Sequence, residues 1–188
     1  MLFSLSSNLL SESEILPSLN GDKDGVIDVT RIAHSISRLK GFWEDVLTYK
    51  GLDGKVGRVF EENHAQRQLL HLLGEYAEHC QAIYDKNTPL IAEELADVVI
   101  VASDLCFSMG VNYQTNFSYG FYHNKGVMLL VADMGQALRK TGTFNPLVLV
   151  DIIQTCIAIA QTNEIDLKSA FIAKCEKNLK RTYRYGVV

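Results

Sequence analysis

The sequence predicts an all-α protein whose core is a four-helix bundle of two helical hairpins, with one further helix before the bundle and one after it. Two observations support this. Apolar residues recur at helical spacing through most of the chain. The pattern of one hairpin, residues 72–105, also returns in residues 130–160 with the same turn, proline and apolar phase. We interpret the second hairpin as a degenerate repeat of the first, with chance similarity of two amphipathic hairpins as the alternative.

Residues 1–25 are expected to form a loosely ordered lead-in to a single all-α domain at 26–188. Ser, Asn, Asp and Gly are frequent in the lead-in, which also contains Pro17. A helix is predicted from about Asp28 to Lys50, because apolar residues recur there at helical spacing. A glycine-rich connector from Gly51 to Gly57 is expected to follow it.

The first hairpin is predicted to consist of helices from about Asn63 to Tyr84 and from Thr88 to about Met109. Thr88 is the expected N-cap of the second helix, with Pro89 in the first turn. That helix is apolar on nearly every side, so we expect it to be buried. The apolar stripe predicted for the first helix consists of Leu69, Leu73, Tyr76, Cys80 and Ile83.

Each helix of this hairpin carries two acidic residues three positions apart, a spacing that puts both on one helix face. Glu78 and Glu94 are equally far from the turn, and so are Glu75 and Asp97. In an antiparallel pair the four carboxylates therefore face one small volume. A solvated helix face is the ordinary alternative, but carboxylates on a buried helix must be paired or bind a metal.

The hairpin has too few cations to neutralise four acids, with Lys86 the nearest. All-oxygen ligands suit a hard divalent cation, which favours Mg²⁺ first and Mn²⁺ as a substitute. A di-iron carboxylate bundle is the weaker alternative, since it needs two Glu-x-x-His motifs and only Glu61-x-x-His64 qualifies. We expect His64, His71 and His79 to lie at the surface or behind the metal ligands.

The four acids resemble the signature of the all-α nucleoside triphosphate pyrophosphohydrolases, the superfamily of MazG and the dimeric dUTPases. The matching residues are Glu75-x-x-Glu78, fifteen intervening residues and Glu94-x-x-Asp97 within EELADVVI, and the resemblance covers roughly residues 63–186. It implies that the four acids are metal-binding and catalytic. The implied reaction is Mg²⁺-dependent hydrolysis of a nucleoside triphosphate or related nucleotide between the α and β phosphates, in a homodimer or higher homo-oligomer. The tryptophan-rich uracil-pocket element is absent after Glu78, which speaks against dUTP as the substrate.

The last helix, predicted from about Leu167 to Tyr183, carries one polar and basic stripe. Its members are Lys174, Asn178 and Arg181. They resemble the Lys-x-x-x-Asn-x-x-Arg element of the same superfamily, which implies that they bind the phosphates. An ordinary exposed helix face is the alternative. Lys177 and Lys180 lie off the stripe and complement the helix dipole.

The composition limits the classes of partner that we expect for the protein. The chain has 188 residues, 47% of them hydrophobic, and its net charge of −4 offers no basic surface for nucleic acid. No apolar run reaches the roughly 20 residues of a membrane span. The four cysteines lack C-x-x-C spacing and fall at apolar helix positions, so we expect core thiols and a cytoplasmic protein. They are Cys80, Cys106, Cys156 and Cys175.

The sequence alone leaves several interpretations open. The aromatic segment 111–125 either covers the end of the bundle or holds a base, whereas Trp43 is expected in the core. Glu93 is a spare candidate behind the metal ligands. From a different class, the chain could be a non-catalytic helical binding or structural module. The preferred base, the number of metal ions and the identity of the general base are not determined.

Overall fold

The structure, a computed structural model, describes residues 3, 8–49 and 54–181. This part of the chain is helical, apart from one isolated antiparallel bridge between Ile27 and Thr115. The described helices are α1 (Glu12–Leu19), α2 (Val29–Leu39), α3 (Glu44–Tyr49), α4 (Gly54–Tyr84), α5 (Thr88–Ser108), α6 (Val127–Thr141), α7 (Leu147–Thr162) and α8 (Leu167–Lys180). The predicted all-α class is confirmed.

Helices α4 to α7 form the predicted bundle core. Helix α4 packs on α5 and α6 on α7, while α4 also contacts α6 and α5 contacts α7. Helix α5 lies at the centre, since α2 and α8 cover its remaining sides. From Glu94 to Ser108 every residue except Asp97 is buried. The expectation that this helix is buried is therefore confirmed. Whether α6 and α7 are a degenerate repeat stays a prediction.

The first hairpin starts earlier than predicted. Helix α4 begins at Gly54, nine residues before the predicted start at Asn63, so the described end of the expected glycine connector is helical, and residues 50–53 lie outside the described part. Helix α5 begins at Thr88 as predicted, but its N-cap is Asn87, whose side chain accepts a hydrogen bond from the Leu90 amide.

The predicted apolar stripe of α4 is confirmed at Leu69 and is otherwise wrong by about one residue. Leu73 and Tyr76 are half-buried, Cys80 and Ile83 are exposed, and the buried positions are His64, Ala65, Gln68, Leu69, Leu72, His79 and Ala82. A one-residue shift turns the face by about 100°. Because three buried positions are polar, a count of apolar residues misses this face. Glu75 lies three residues after Leu72 and four before His79, so the buried stripe runs toward the acidic pair.

The segment before Asp28 is more ordered than predicted. Helix α1 starts with a capping box, in which Ser11 and Glu14 satisfy each other's groups, and it contains Pro17. Its residues Ile15 and Leu19 are buried. The composition of this segment favours turns, but two core contacts and a cap are sufficient for a short helix.

The single helix predicted from Asp28 to Lys50 is in fact two helices, α2 and α3. Asp28 caps α2 by accepting a hydrogen bond from the Arg31 amide. The break falls at Gly41, whose φ of 80° is easy only for glycine. The resulting turn carries Trp43 into the core, where it is fully buried as expected.

The aromatic segment 111–125 packs on α7 and covers that side of the bundle. Gly120 approaches so closely that a Cβ there would lie 2.5 Å from the Ala158 nitrogen. The Tyr122 hydroxyl donates to the Ala158 carbonyl and to Thr162. The segment is therefore a connector that covers the bundle.

Three of the four cysteines are buried, as predicted, but Cys80 is exposed because it lies off the true buried stripe of α4. Helix α8 ends at Lys180, and residues 182–188 are not described. No helix in the described ranges has both the length and the hydropathy of a membrane-spanning segment.

Candidate metal and phosphate site

Three of the four predicted acids form one cluster between α4 and α5. Carboxylate oxygens of Glu75, Glu78 and Glu94 all lie within 4.8 Å of one another, and the described residues contain no second group of this kind. The hairpin geometry explains the cluster, since the equal distances from the turn bring facing positions of the two helices together. Glu94 is buried, Glu75 is half-buried and Glu78 is exposed.

Asp97, the fourth acid, lies on the same face of α5 but is paired with a cation from α8. The Lys174 ammonium nitrogen is 2.5 Å from its Oδ2, and both side chains are largely buried. Burial raises the pKa of Asp97 to about 6; the hydrogen bond from Lys174 opposes this, and the nearby Glu75 and Glu94 add to it. Asp97 can therefore carry a proton near neutral pH.

Glu94, like Asp97, lies where a negative charge is disfavoured. The pKa of Glu94 is raised, first by burial and then by the nearby Glu78 and Glu75, while Lys174 opposes the shift. Mutual repulsion at this distance is costly in a partly buried site, and a divalent cation would relieve it.

Glu93 bridges two lysines on α8. Its Oε1 accepts hydrogen bonds from Lys174 at 2.8 Å and from Lys177 at 2.6 Å, and these two bonds lower its pKa to about 2. Burial alone would lower the pKa of Lys174, but its bonds to Asp97 and Glu93 outweigh burial and raise it. Lys177, expected to lie apart from the stripe, thus reaches the edge of the site through Glu93.

The predicted stripe on α8 faces the acids. Lys174, Asn178 and Arg181 line the same cleft as the four acids. Among the described residues, nothing hydrogen-bonds to Asn178 Oδ1 although this atom is buried. Arg181 is exposed and follows the last turn of α8, where its carbonyl accepts a hydrogen bond from the Lys40 ammonium at 2.8 Å. The cleft has a volume of about 320 Å³ and lies between α2, α4, α5 and α8.

His71 lies behind a candidate metal ligand as expected, whereas His64 and His79 are buried and do not belong to the acidic cluster. His71 lines the cleft and its Nε2 is 2.8 Å from Glu75, a hydrogen bond that raises the pKa of His71. His79 is buried against the Ile91 carbonyl. His64 is buried beside Trp43 and Asp45 and takes no part in the acidic cluster.

One buried carboxylate that lines the cleft was not predicted from the sequence. Asp104 accepts hydrogen bonds from His34 Nδ1 at 2.6 Å and from Trp43 Nε1 at 3.0 Å, and Asp104 itself lines the cleft. Its position seven residues after Asp97, two turns along the same face of α5, was visible in the sequence. The partners were not, since they lie more than 60 positions away in the chain.

Comparisons of the chain with protein-family models, with curated proteins and with solved structures find no match. The resemblance to the pyrophosphohydrolases therefore rests on the residues quoted above.

Proposed function

We propose that the protein is a Mg²⁺-dependent hydrolase that cleaves a nucleoside triphosphate or related nucleotide between the α and β phosphates. One observation supports the proposal most directly. Acids from α4 and α5 and a basic, amide-bearing stripe from α8, separated by more than 70 residues, line one cleft. Phosphoryl transfer needs such a pairing of cation ligands with phosphate-binding groups.

The acidic cluster suits a hard cation. Glu75, Glu78 and Glu94 offer only oxygen atoms, at spacings that allow them to share one ion. When bound, Mg²⁺ or its substitute Mn²⁺ would neutralise phosphate charge and lower the pKa of water.

The α8 stripe would bind the polyphosphate. Lys174 and Arg181 would supply charge-assisted hydrogen bonds, and Asn178 would donate through its amide nitrogen. Lys174 is already held at the acids by Asp97 and Glu93, so its ammonium group lies where a phosphate beside the cluster would be.

Asp97 is the carboxylate best suited to accept a proton from the attacking water. It stands apart from the three-acid cluster, and its pKa of about 6 is close to neutral pH, where a general base is most effective.

The test is a product screen over common and modified nucleoside triphosphates with Mg²⁺ or EDTA. We expect monophosphate and pyrophosphate in equal amounts, only with the metal. Formation of diphosphate and inorganic phosphate would refute the proposed bond cleavage. The hydrolase should give product and a Mg²⁺-dependent thermal shift with nucleotide. A non-catalytic helical module would give neither.

A further inference from the structure

We infer that the inner half of the cleft is a nucleobase site in which Asp104 selects bases that carry an exocyclic amino group. The inference rests on the proposed function for the identity of the ligand as a nucleotide. Asp97 and Asp104 lie two turns apart on one face of α5, a separation of about 10 Å. A nucleotide whose phosphates lie at the acids would therefore extend its base toward Asp104.

The apolar walls of the cleft suit a flat, partly apolar ring. Ile36 from α2, Ile100 and Val101 from α5, and Phe42 line the cleft, and Ile100 and Val101 lie between Asp97 and Asp104 in the sequence. Ile100 and Val101 are 8% and 7% exposed, so only a small part of each side chain is accessible. A volume of about 320 Å³ for the whole cleft is near the lower limit of small-molecule sites.

The hydrogen bonds of Asp104 define what it can recognise. His34 Nε2 is buried without a partner among the described residues, which places the imidazole proton on Nδ1, the atom 2.6 Å from Asp104. His34 and Trp43 then both donate to the carboxylate. An ionised carboxylate only accepts, and these two donors leave part of its capacity unused.

A fixed acceptor discriminates between bases. The amino group of cytosine or adenine can donate to Asp104, whereas the carbonyl oxygen at the same position of uracil or hypoxanthine meets it lone pair to lone pair. Failure to pair a buried polar group is the strongest source of such discrimination.

The experiment measures dissociation constants of monophosphates by calorimetry with Mg²⁺ present, since a monophosphate has no bond between α and β phosphates to cleave. The pairs dCMP with dUMP and AMP with IMP differ at the exocyclic position and in the proton on the neighbouring ring nitrogen. We expect at least one amino member to bind about tenfold or more tighter than its carbonyl counterpart. Equal affinities within both pairs, or no binding of any of the four, would overturn the inference. Equal affinities together with pyrophosphate release would leave the proposed hydrolysis intact.

Variants locate the preference. Asp104→Asn offers an amide donor to a carbonyl oxygen, so it should abolish or invert the preference, whereas Asp133→Asn on α6 should keep it. Because Asp104→Asn could disturb the buried group, the wild-type protein is also titrated with dCMP while backbone amide resonances are followed by NMR. Shifts at Val101 and Asp104 support the inference. Shifts confined to α6 and α7 contradict it.

Discussion

Lys174 Nζ lies 2.5 Å from Asp97 Oδ2, so the ammonium group that we propose for phosphate is also the partner of a carboxylate that we propose for catalysis. Glu93 holds the same lysine from its other side. The Lys174 ammonium group would repel a cation that binds the acidic cluster. A bound phosphate would attract the ammonium group and so weaken this repulsion. Metal and nucleotide are therefore expected to bind cooperatively.

The Lys174→Ala variant should separate these two roles. Loss of a charge-assisted bond of roughly 1.5–3 kcal/mol predicts a fall of about tenfold or more in kcat/KM. In the nucleotide-free protein, Mn²⁺ should bind more tightly than to wild type, because the repulsion is removed. Turnover assays and Mn²⁺ titration check both parts.

Two neighbouring lysines serve as controls for that variant. Lys180 is exposed and off the stripe, so Lys180→Ala should be silent. Lys177 is 56% exposed and pairs with Glu93, so Lys177→Ala should cost at most about 1 kcal/mol. If all three alanine variants behave alike, α8 does not bind the phosphates.

Asp97 should make the metal-free protein less stable as the pH rises. A carboxyl group whose pKa is about 6 when folded, against 3.8 for the ordinary group, binds more protons in the folded state. Stability from this group is therefore present at low pH and is lost through the window from about 4 to 6. Between pH 5 and 7 the loss is about 1 kcal/mol, at about 1.4 kcal/mol per pKa unit.

Denaturant unfolding in EDTA at pH 5 and pH 7 measures this loss. The Asp97→Asn variant should lack it, so the two proteins differ in the pH dependence of their unfolding free energy. An identical pH dependence would show that Asp97 does not titrate there.

Gly120 should not tolerate a side chain. A Cβ at this position would lie 2.5 Å from the Ala158 nitrogen and 2.7 Å from the Gln154 carbonyl oxygen. Gly120→Ala should destabilise the protein by roughly 1–3 kcal/mol, measured by denaturant unfolding. Gly135→Ala in α6, where a Cβ meets nothing within 4 Å, should instead stabilise it by about 0.5–1 kcal/mol. Equal effects of the two would mean that segment 111–125 does not pack on α7.

The second hairpin should hold no metal. Asp133 is paired with Lys125, and Asp151 lies 4.0 Å from His123, and among the described residues neither acid belongs to a group of three that could share an ion. A crystal grown with Mn²⁺ should show anomalous scattering at Glu75, Glu78 and Glu94 and none between Asp133 and Asp151. Superposition of the two hairpins by a near-twofold rotation would support the interpretation of the second as a repeat of the first. A metal in both hairpins would contradict the prediction that the second has lost its metal site.

Local sequence patterns predicted much of the fold and the polar side of the cleft. Residue spacing and helix caps act over a few residues. They were sufficient to predict the all-α class, the position of the α4–α5 turn and the common face of the four acids. The buried face of α4 could not be predicted in the same way, because Gln68 and His79 are buried by tertiary contacts. Nor could the break at Gly41, where a left-handed residue interrupts an otherwise continuous apolar pattern.

Contacts between distant segments were beyond such patterns. Only the fold brings His34 and Trp43 to Asp104. Lys177 was predicted to lie off the stripe, whereas its long side chain reaches Glu93. Side-chain length and the approach of a third helix decide both cases.

Pyrophosphate release by Glu94→Gln, beside wild type and Asp133→Asn, tests the metal-dependent hydrolysis most directly. Glu94 is the buried member of the three-acid cluster, and the amide keeps its size while removing its charge. We predict that wild type and Asp133→Asn release pyrophosphate with Mg²⁺, and that Glu94→Gln does not, while remaining at least as stable as wild type in EDTA because repulsion is relieved. Undiminished Mg²⁺-dependent release by a folded Glu94→Gln protein would contradict the assignment of the metal centre to these carboxylates.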